Sequence, residues 1–328
     1  MPKPEAPGMR VVFIGASSFG LNCLKAVYPL PGISVVGLIT NPKTFSISYS
    51  DSPVTNVLHA DFVAWASQHS LPCFEMARTM RDQALHAWVR TLAPQMFVVV
   101  GWYHMVPKSL REIAPAYGLH ASLLPDYSGG APLVWAIING ESQTGITVFQ
   151  MDDGVDSGPI AGQKSEPIFP TDTIATLYAR IEERGIELLR EVLPQISRGS
   201  LVLRPQDETR RRIMRQRCPA DGLIDWRLDA LTIERFIRAQ TRPYPGAFTS
   251  FGGQQVHIWG ASVAHPDGDG QNEIGCISRS AEGAYRVGTG RGAIILTEVS
   301  IGEKTLSQSQ LAGLFGEGGQ VLGRAASG

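Results

Sequence analysis

His120 stands in the stretch GLHASLLPDYSGGAPLVW, residues 118–135, and Asp152, Asp153 and Asp156 stand in MDDGVDSG, residues 151–158. An imidazole with a carboxylate neighbour can hold a proton for delivery at neutral pH, because the negative charge favours the charged ring. That is the equipment of general acid–base catalysis. A lone histidine is more often structural than catalytic; here the aspartate-bearing loop changes the balance. Spacing alone leaves open which of the three aspartates is the partner.

Two more segments can contribute to a site. GASSFG, residues 15–20, follows an apolar run. It lacks the third glycine of a dinucleotide fingerprint and no GK[ST] follows, so it is a weak nucleotide signal. A helix start can still attract anions, which puts Ser17, Ser18 and Phe19 forward as lining for part of a substrate site. VVVGWYHMVP, residues 98–107, places Trp102, Tyr103, His104 and Met105 after a buried strand. In open parallel sheets ligands bind beyond the carboxyl ends of the strands, and aromatic side chains there can flank a flat heterocycle.

The elements that must position these residues read as α/β. MRVVFIG, then LNCLKAVYPL, then ISVVGLIT is strand, helix, strand within about 30 residues, a βαβ unit that implies a parallel sheet. ADFVAWASQHS and MRDQALHAWVRTL are predicted helices, the second with Leu85, Trp88, Val89 and Leu92 at helical spacing. QMFVVVGW is a continuous apolar run and predicts a strand buried on both faces. GITVFQM is a further strand, so the aspartate loop begins at a strand end. TIATLYARIEERGIELLREVLPQIS is a long amphipathic helix.

The pattern changes near residue 205. GAFTSF, QQVHIWGASV, EIGCISRS, AYRVGTG and AIILTEVS are short strand candidates separated by Gly, Asn and Asp turn signals, as in a small barrel or sandwich. The expected organisation is an α/β domain over 1–205, a connecting segment over 206–244 and a β-rich domain over 245–328, ending in a frayed LGRAASG.

The chain has 328 residues, is 43% hydrophobic and carries a formal net charge of −1. It can bury two cores. No broad basic surface is evident; the run RRRIMRQR at 210–217 reads as a solvated loop or helix face. The four cysteines form no CxxC pair, which speaks against a disulfide framework or zinc ribbon. With no signal-peptide pattern and no run long enough for a membrane helix, a soluble cytoplasmic protein without a membrane partner is the expectation.

HASLLPDYSGGAP together with SQTGITVFQMDDGVDSGPI resembles the 10-formyltetrahydrofolate-dependent formyltransferases. The combination H-x-S-L-L-P with a D-x-G-x-D-[ST]-G loop at this separation is specific. The similarity runs from VVFIGASSFG through GLIDWR and IRAQTRPYPGAF to the C-terminal β segments, so it covers most of the chain. It implies a Rossmann-like catalytic domain followed by a smaller OB-like domain, with 10-formyltetrahydrofolate as co-substrate and no metal. Residue by residue, it implies that His120 and Asp156 are the catalytic pair. Trp102, Tyr103, His104 and Met105, with Asp152, Asp153, Gly154 and Val155, would hold the pterin, largely through backbone groups. Thr147 would help a bridging water, and Ser122, Leu123, Leu124 and Pro125 would fix the histidine.

One position departs from the family's usual N-x-H-x-S-L-L-P: Gly118 stands where that pattern has asparagine. The family's asparagine donates a hydrogen bond to the formyl oxygen, and removing such a donor typically costs on the order of a hundredfold in rate. Glycine either weakens catalysis, leaves room for another donor such as Tyr103 or His104, or marks altered chemistry.

Three acceptor readings follow from the resemblance: a small-molecule amine such as an amino sugar nucleotide, methionyl-tRNA, or no acceptor at all in a hydrolase or an inactive folate binder. The segment TNPKTFSISYSDSPVTN has one lysine where the tRNA enzymes carry a basic insertion, and residues after 205 hold 14 Lys and Arg against 13 Asp and Glu. Polyanion binding favours a basic excess. The small-molecule amine is therefore the expected acceptor, and nucleic acid is disfavoured. The β-rich domain is open to completing the acceptor site, to forming a homodimer contact, or to neither.

Overall fold

The computed structural model describes residues 8–47, 53–264, 273–280 and 282–323. The tail expected to fray lies, from residue 324 on, outside these, as does the centre of the Ser-rich segment at 48–52. The chain divides into two compact units: Met1–Pro132, Gln143–Pro167 and Ala179–Met214 form the first, and Leu133–Ser142, Ile168–Tyr178 and Arg215–Gly328 the second. The expected connecting segment is thus divided, with 206–214 in the first unit and the rest in the second.

The first unit opens with β1 (Met9–Gly15), α1 (Ser18–Val27) and β2 (Ile33–Thr40). Ser17 caps α1, its hydroxyl accepting from the Gly20 N–H, and Phe19, Cys23, Leu24 and Val27 make the buried face. A short hairpin follows, β3 (Thr44–Phe45) and β4 (Val54–Thr55), then α2 (Phe62–Gln68), β5 (Cys73–Glu75) and α3 (Gln83–Thr91). Next come β6 (Met96–Val100), α4 (Lys108–Arg111), β7 (Ala116–His120) and β8 (Ser128–Gly129). Every residue of β6 is buried, as its unbroken apolar run requires. After β8 the chain enters α5 (Pro132–Ile138), nearly all of which belongs to the second unit. It then returns as β9 (Gln143–Gln150), β10 (Ile160–Pro167), α6 (Ile174–Ser197) and β11 (Ile213–Met214).

The sheet has the order β10-β9-β7-β6-β1-β2-β5. Strands β5, β2, β1, β6 and β7 run parallel, and β9 is antiparallel to both its neighbours. This is the mostly parallel, Rossmann-like arrangement expected. The strand order turns back at β1, with β2 on one side and β6 on the other, so the ends of β1, β2, β6 and β7 form the crevice in which such sheets take ligands. The small strand β11 pairs with β8 beside this crevice.

The second unit contains α7 (Ala230–Ala239), β12 (Ala247–Phe251), β13 (Gln254–Val263), β14 (Cys276–Arg279), β15 (Tyr285–Gly288), β16 (Ala293–Ile301), β17 (Lys304–Thr305), α8 (Gln308–Phe315) and β18 (Gly318–Val321). Its antiparallel sheet has the order β12-β13-β16-β15-β14-β18, with β17 added to β16. Past β18, the Gly323 N–H donates to Ser250 O in β12 at 2.9 Å, so the sheet curls toward closure as an OB-like barrel does. Ala230, Ile233 and Ile237 of α7 join Val256, Ile258, Leu296 and Val299 in one core. The residues 230–239, expected as connector, therefore belong to the barrel's packing, because their apolar side chains recur at helical spacing.

Candidate functional site

On β7, Ala116, Gly118 and His120 share one face of the strand. The His120 ring is fixed at one nitrogen: Nε2 donates to Tyr127 O at 2.7 Å. A carbonyl oxygen only accepts, so this nitrogen carries a proton. The loop that presents Tyr127 is tied down by its own side chains. Ser122 Oγ donates to Asp126 O at 2.7 Å, and Ser128 Oγ donates to Pro125 O at 3.0 Å.

The aspartate loop follows β9. Its three carboxylates have different tasks. Asp152 Oδ1 accepts from Gly154 N at 3.0 Å and from Ser157 Oγ at 2.6 Å, bracing the loop internally. Asp153 is mostly exposed and pairs with Arg111. Asp156 turns inward, with φ 51°, in the left-handed region. Its Oδ2 accepts from the Gly129 N–H at 2.8 Å and lies 3.5 Å from His120 Nδ1. The geometry thus separates three residues that spacing could not. At 3.5 Å the His120–Asp156 contact is longer than a good hydrogen bond, as catalytic contacts often are before substrate tightens them.

Beyond β6, Trp102, Tyr103 and His104 gather with Phe45 of β3. Ring centroids are 5.2 Å apart for Phe45–Tyr103, 5.4 Å for Phe45–His104 and 5.4 Å for Trp102–His104. Tyr103 donates its hydroxyl to Asn56 Oδ1 at 2.9 Å. Trp102 Nε1 and His104 Nε2 are buried with no hydrogen-bond partner among the described residues, as are Thr40 Oγ1 and both amide atoms of Asn41 at the end of β2. Buried polar groups are nearly always paired in folded proteins. A set of orphans beside aromatic rings at strand ends therefore fits a flat, polar-edged ligand. Burial lowers the pKa of His104, which favours its neutral ring. Met105 and Val155 are exposed apolar side chains on the two loops that flank this region.

Other expected site residues are placed differently. Ser17 is buried and spends its hydroxyl on the α1 cap, while Phe19 is buried in the core against the Leu119 and Gly185 region; only Ser18 of the three is exposed. Thr147 is fully buried. Its hydroxyl donates to Ser122 O at 2.7 Å and accepts from Leu124 N at 3.2 Å and Gln163 Nε2 at 3.0 Å. Nothing remains for a bridging water, so Thr147 is a strut beneath the histidine loop. Thr147→Val should strand Ser122 O and Leu124 N and cost about 1–3 kcal/mol of stability. Thermal melting should show that loss with KM for the folate substrate unchanged, whereas a KM change at wild-type stability would return Thr147 to the site.

Gly118 is enclosed. A Cβ there would lie 2.9 Å from Met151 Cε and 3.0 Å from Phe149 Cε1. The room beside His120 that an asparagine would need is filled by a thioether and a phenyl ring. Tyr103 is engaged with Asn56 rather than serving as a replacement donor there.

The arginine run is largely exposed, as expected, with Arg210, Arg212 and Arg215 at the surface, but several of its side chains are paired. Arg211 is 10% exposed and bonded to Glu208, Ser128 and Val155 O. Arg212 pairs with Asp126 through two nitrogens and lies 4.5 Å over the Tyr127 ring. In the second unit, Arg215 pairs with Asp221 and Arg217 lies over Trp135, where burial lowers its pKa. No motif announces Tyr127, Gly129 and Met151, which act through backbone atoms or packing, or Gln206 and Arg211, whose side chains reach the two loops from a distant part of the chain. Among the described residues no group of three or more His, Cys, Asp or Glu is placed to hold a metal ion, and no helix is long and apolar enough to cross a membrane.

Residues 9–193 match the formyl transferase family, and residues 218–314 match the formyl transferase C-terminal domain. A methionyl-tRNA formyltransferase from Geotalea uraniireducens is 33% identical over 97% of this chain and 99% of its own length. Another from Chloroflexus aggregans is 35% identical over 89% of this chain and 92% of its own. Among solved structures, an N-formyltransferase from Helicobacter canadensis, in complex with folinic acid and dTDP-3-aminofucose, superposes with a TM-score of 0.61 at 18% identity. The match covers 88% of this chain and 99% of that one.

Proposed function

The chain belongs to the formyl transferase family, and from that premise we propose that it moves the formyl group of 10-formyltetrahydrofolate to the amino group of methionyl-tRNA. The observation that carries the donor half is the pairing of His120 Nδ1 with Asp156 Oδ2 at the strand ends, next to an aromatic group with unpaired polar atoms. Trp102, Tyr103, His104 and Met105, with the backbone of Asp152 to Val155, would hold the folate. That co-substrate supplies an activated one-carbon unit.

The chain's own groups handle the protons. The new bond joins the acceptor nitrogen to the formyl carbon, and the bond to the folate nitrogen breaks. One proton must leave the attacking amine and one must reach the departing nitrogen. His120 cannot exchange a proton at Nε2, which is committed to Tyr127 O. Exchange therefore runs through Nδ1, the nitrogen that faces Asp156. The carboxylate can take the amine's proton while Nδ1 serves the formyl oxygen or the leaving nitrogen.

The acceptor rests on the two full-length relatives, whose names carry methionyl-tRNA. A specific observation supports a small nucleotide-linked amine as the second reading: Arg211, Arg212, Arg215 and Arg217 each have a partner within the protein, which leaves less free positive charge for a polyanion. A competition assay separates the two. The enzyme is given 10-formyltetrahydrofolate with methionyl-tRNA and a dTDP-amino sugar together. Formyl on the tRNA, at a rate that falls steeply between 50 and 200 mM salt as phosphate contacts are screened, is the expected result. Formyl on the sugar alone would replace the first reading with the second, and formate release without either amine would indicate hydrolysis.

A further inference from the structure

The aspartate loop and the histidine loop are joined by a side chain that the formyl-transfer chemistry does not use. Arg211 precedes β11 and is almost wholly covered. Its Nε and Nη2 hold the Glu208 carboxylate at 2.5 and 2.6 Å, and Nη2 also meets Gln206 Oε1 at 3.2 Å. Its Nη1 donates to Ser128 Oγ at 2.7 Å, to Val155 O at 3.2 Å and to Asp156 O at 3.5 Å. Every nitrogen of the guanidinium is thus engaged by the protein itself, which leaves no donor for a ligand.

The contacts of Nη1 fall on both halves of the site. Ser128 lies between Tyr127, whose carbonyl holds His120 Nε2, and Gly129, whose N–H holds Asp156 Oδ2. Val155 and Asp156 are the tip of the aspartate loop. Main-chain bonds keep the bridge in register: Ser128 N donates to Arg212 O at 3.0 Å and Gly130 N to Met214 O at 2.9 Å. Gln206 assists from one side only, donating to Asp156 O at 2.8 Å and Gly158 O at 2.6 Å. Asp156 sits in a left-handed conformation that L-residues seldom adopt, so its placement must be imposed by surrounding contacts.

We propose that Arg211 is a positioning residue for formyl transfer: it bridges Ser128 to the Val155–Asp156 backbone and so sets the separation between Asp156 and His120. The proposal rests on the reading of His120 and Asp156 as the reacting pair. A planar guanidinium with divergent N–H groups can bond Glu208, Ser128 and the Val155 carbonyl at once; a lysine ammonium on its stem cannot. Misplacing a reacting group by about an ångström costs on the order of a hundredfold.

The test is a double-mutant cycle, read as steady-state formyl transfer to whichever of methionyl-tRNA or the dTDP-amino sugar the competition selects. Arg211→Ala should lower kcat about tenfold to a hundredfold with the KM for that acceptor unchanged, and Arg211→Lys should recover part of the loss. In the Asp156→Asn background the same Arg211→Ala change should cost almost nothing, because it acts through a group already disabled. An equal loss in both backgrounds, or no loss in either, overturns the proposal. Wild-type turnover in Asp156→Asn alone would instead overturn the underlying reading of the pair. A crystal structure of Arg211→Ala reads the geometry without any acceptor: the Gly129 N to Asp156 Oδ2 contact should open, and its persistence at 2.8 Å counts against Arg211 on its own.

Discussion

Asp156→Asn should lower formyl transfer by roughly a hundred- to ten-thousandfold, the range that general acid–base groups supply, while folate binding stays near wild type. The substitution is nearly isosteric. Its side-chain oxygen can still accept from the Gly129 N–H, which holds the loop at 2.8 Å in the native protein. What is lost is the carboxylate's capacity to take a proton and to face a protonated Nδ1. His120→Ala should cause a loss of the same order and leave Tyr127 O without its donor. The two should not multiply. If both side chains serve one proton path, the double variant should be about as slow as the slower single one. Single-turnover rates with fluorescence titration of the folate check both points. A variant that turns over like wild type, or one that loses folate affinity in proportion to rate, would remove that residue from the chemistry.

Much of this site could be read from sequence because strand ends concentrate it. The apolar run of β6 made its burial plain, and a buried strand fixes where Trp102 to Met105 must emerge. The βαβ start is equally legible, since two apolar runs bracket a Gly/Ser turn and a helix whose apolar positions recur every three or four residues. The strand that carries His120 was not identified. Ala116–His120 is five residues long, contains a glycine and has no β-branched side chain, so only its neighbours β6 and β9 define it as a strand. The roles within MDDGVDSG were also hidden, because three identical carboxylates differ only in what their loop turns them toward: Ser157, Arg111 or His120. The partners of the arginine run are hidden for a related reason. Charge along a sequence says nothing of its partners, and here Glu208, Asp126 and Asp221 lie close enough to neutralise it. Thr147 is the converse case: sequence places a hydroxyl in the site region, and only the structure shows that three protein groups already occupy it.

Gly118→Asn should slow the enzyme, not restore a missing donor. The resemblance implies an asparagine at this position, and in open space its replacement would add an oxyanion contact. The structure argues otherwise. The new Cβ would lie 2.9 Å from Met151 Cε and within 3.2 Å of the Phe149 ring, before any carboxamide is added. The phenyl ring belongs to β9, whose Phe149 pairs directly with Gly118 across the sheet, so it cannot withdraw without disturbing that ladder. Met151 can swing away, but it packs against Leu124, Phe149 and Ile160 and would leave that contact. Overpacking of this kind typically costs 1–3 kcal/mol, and the strained strand carries His120 two residues on. The single variant should therefore melt at a lower temperature and transfer formyl more slowly. Gly118→Asn combined with Met151→Ala should recover stability, since the second change vacates the volume that the first needs. If a carboxamide donor then reaches the formyl oxygen, turnover should exceed that of Met151→Ala alone by up to about a hundredfold. A single Gly118→Asn variant that is both faster and as stable as wild type would mean that Met151 does not close this space. The glycine would then be an unfilled position rather than one half of a matched Gly118–Met151 pair.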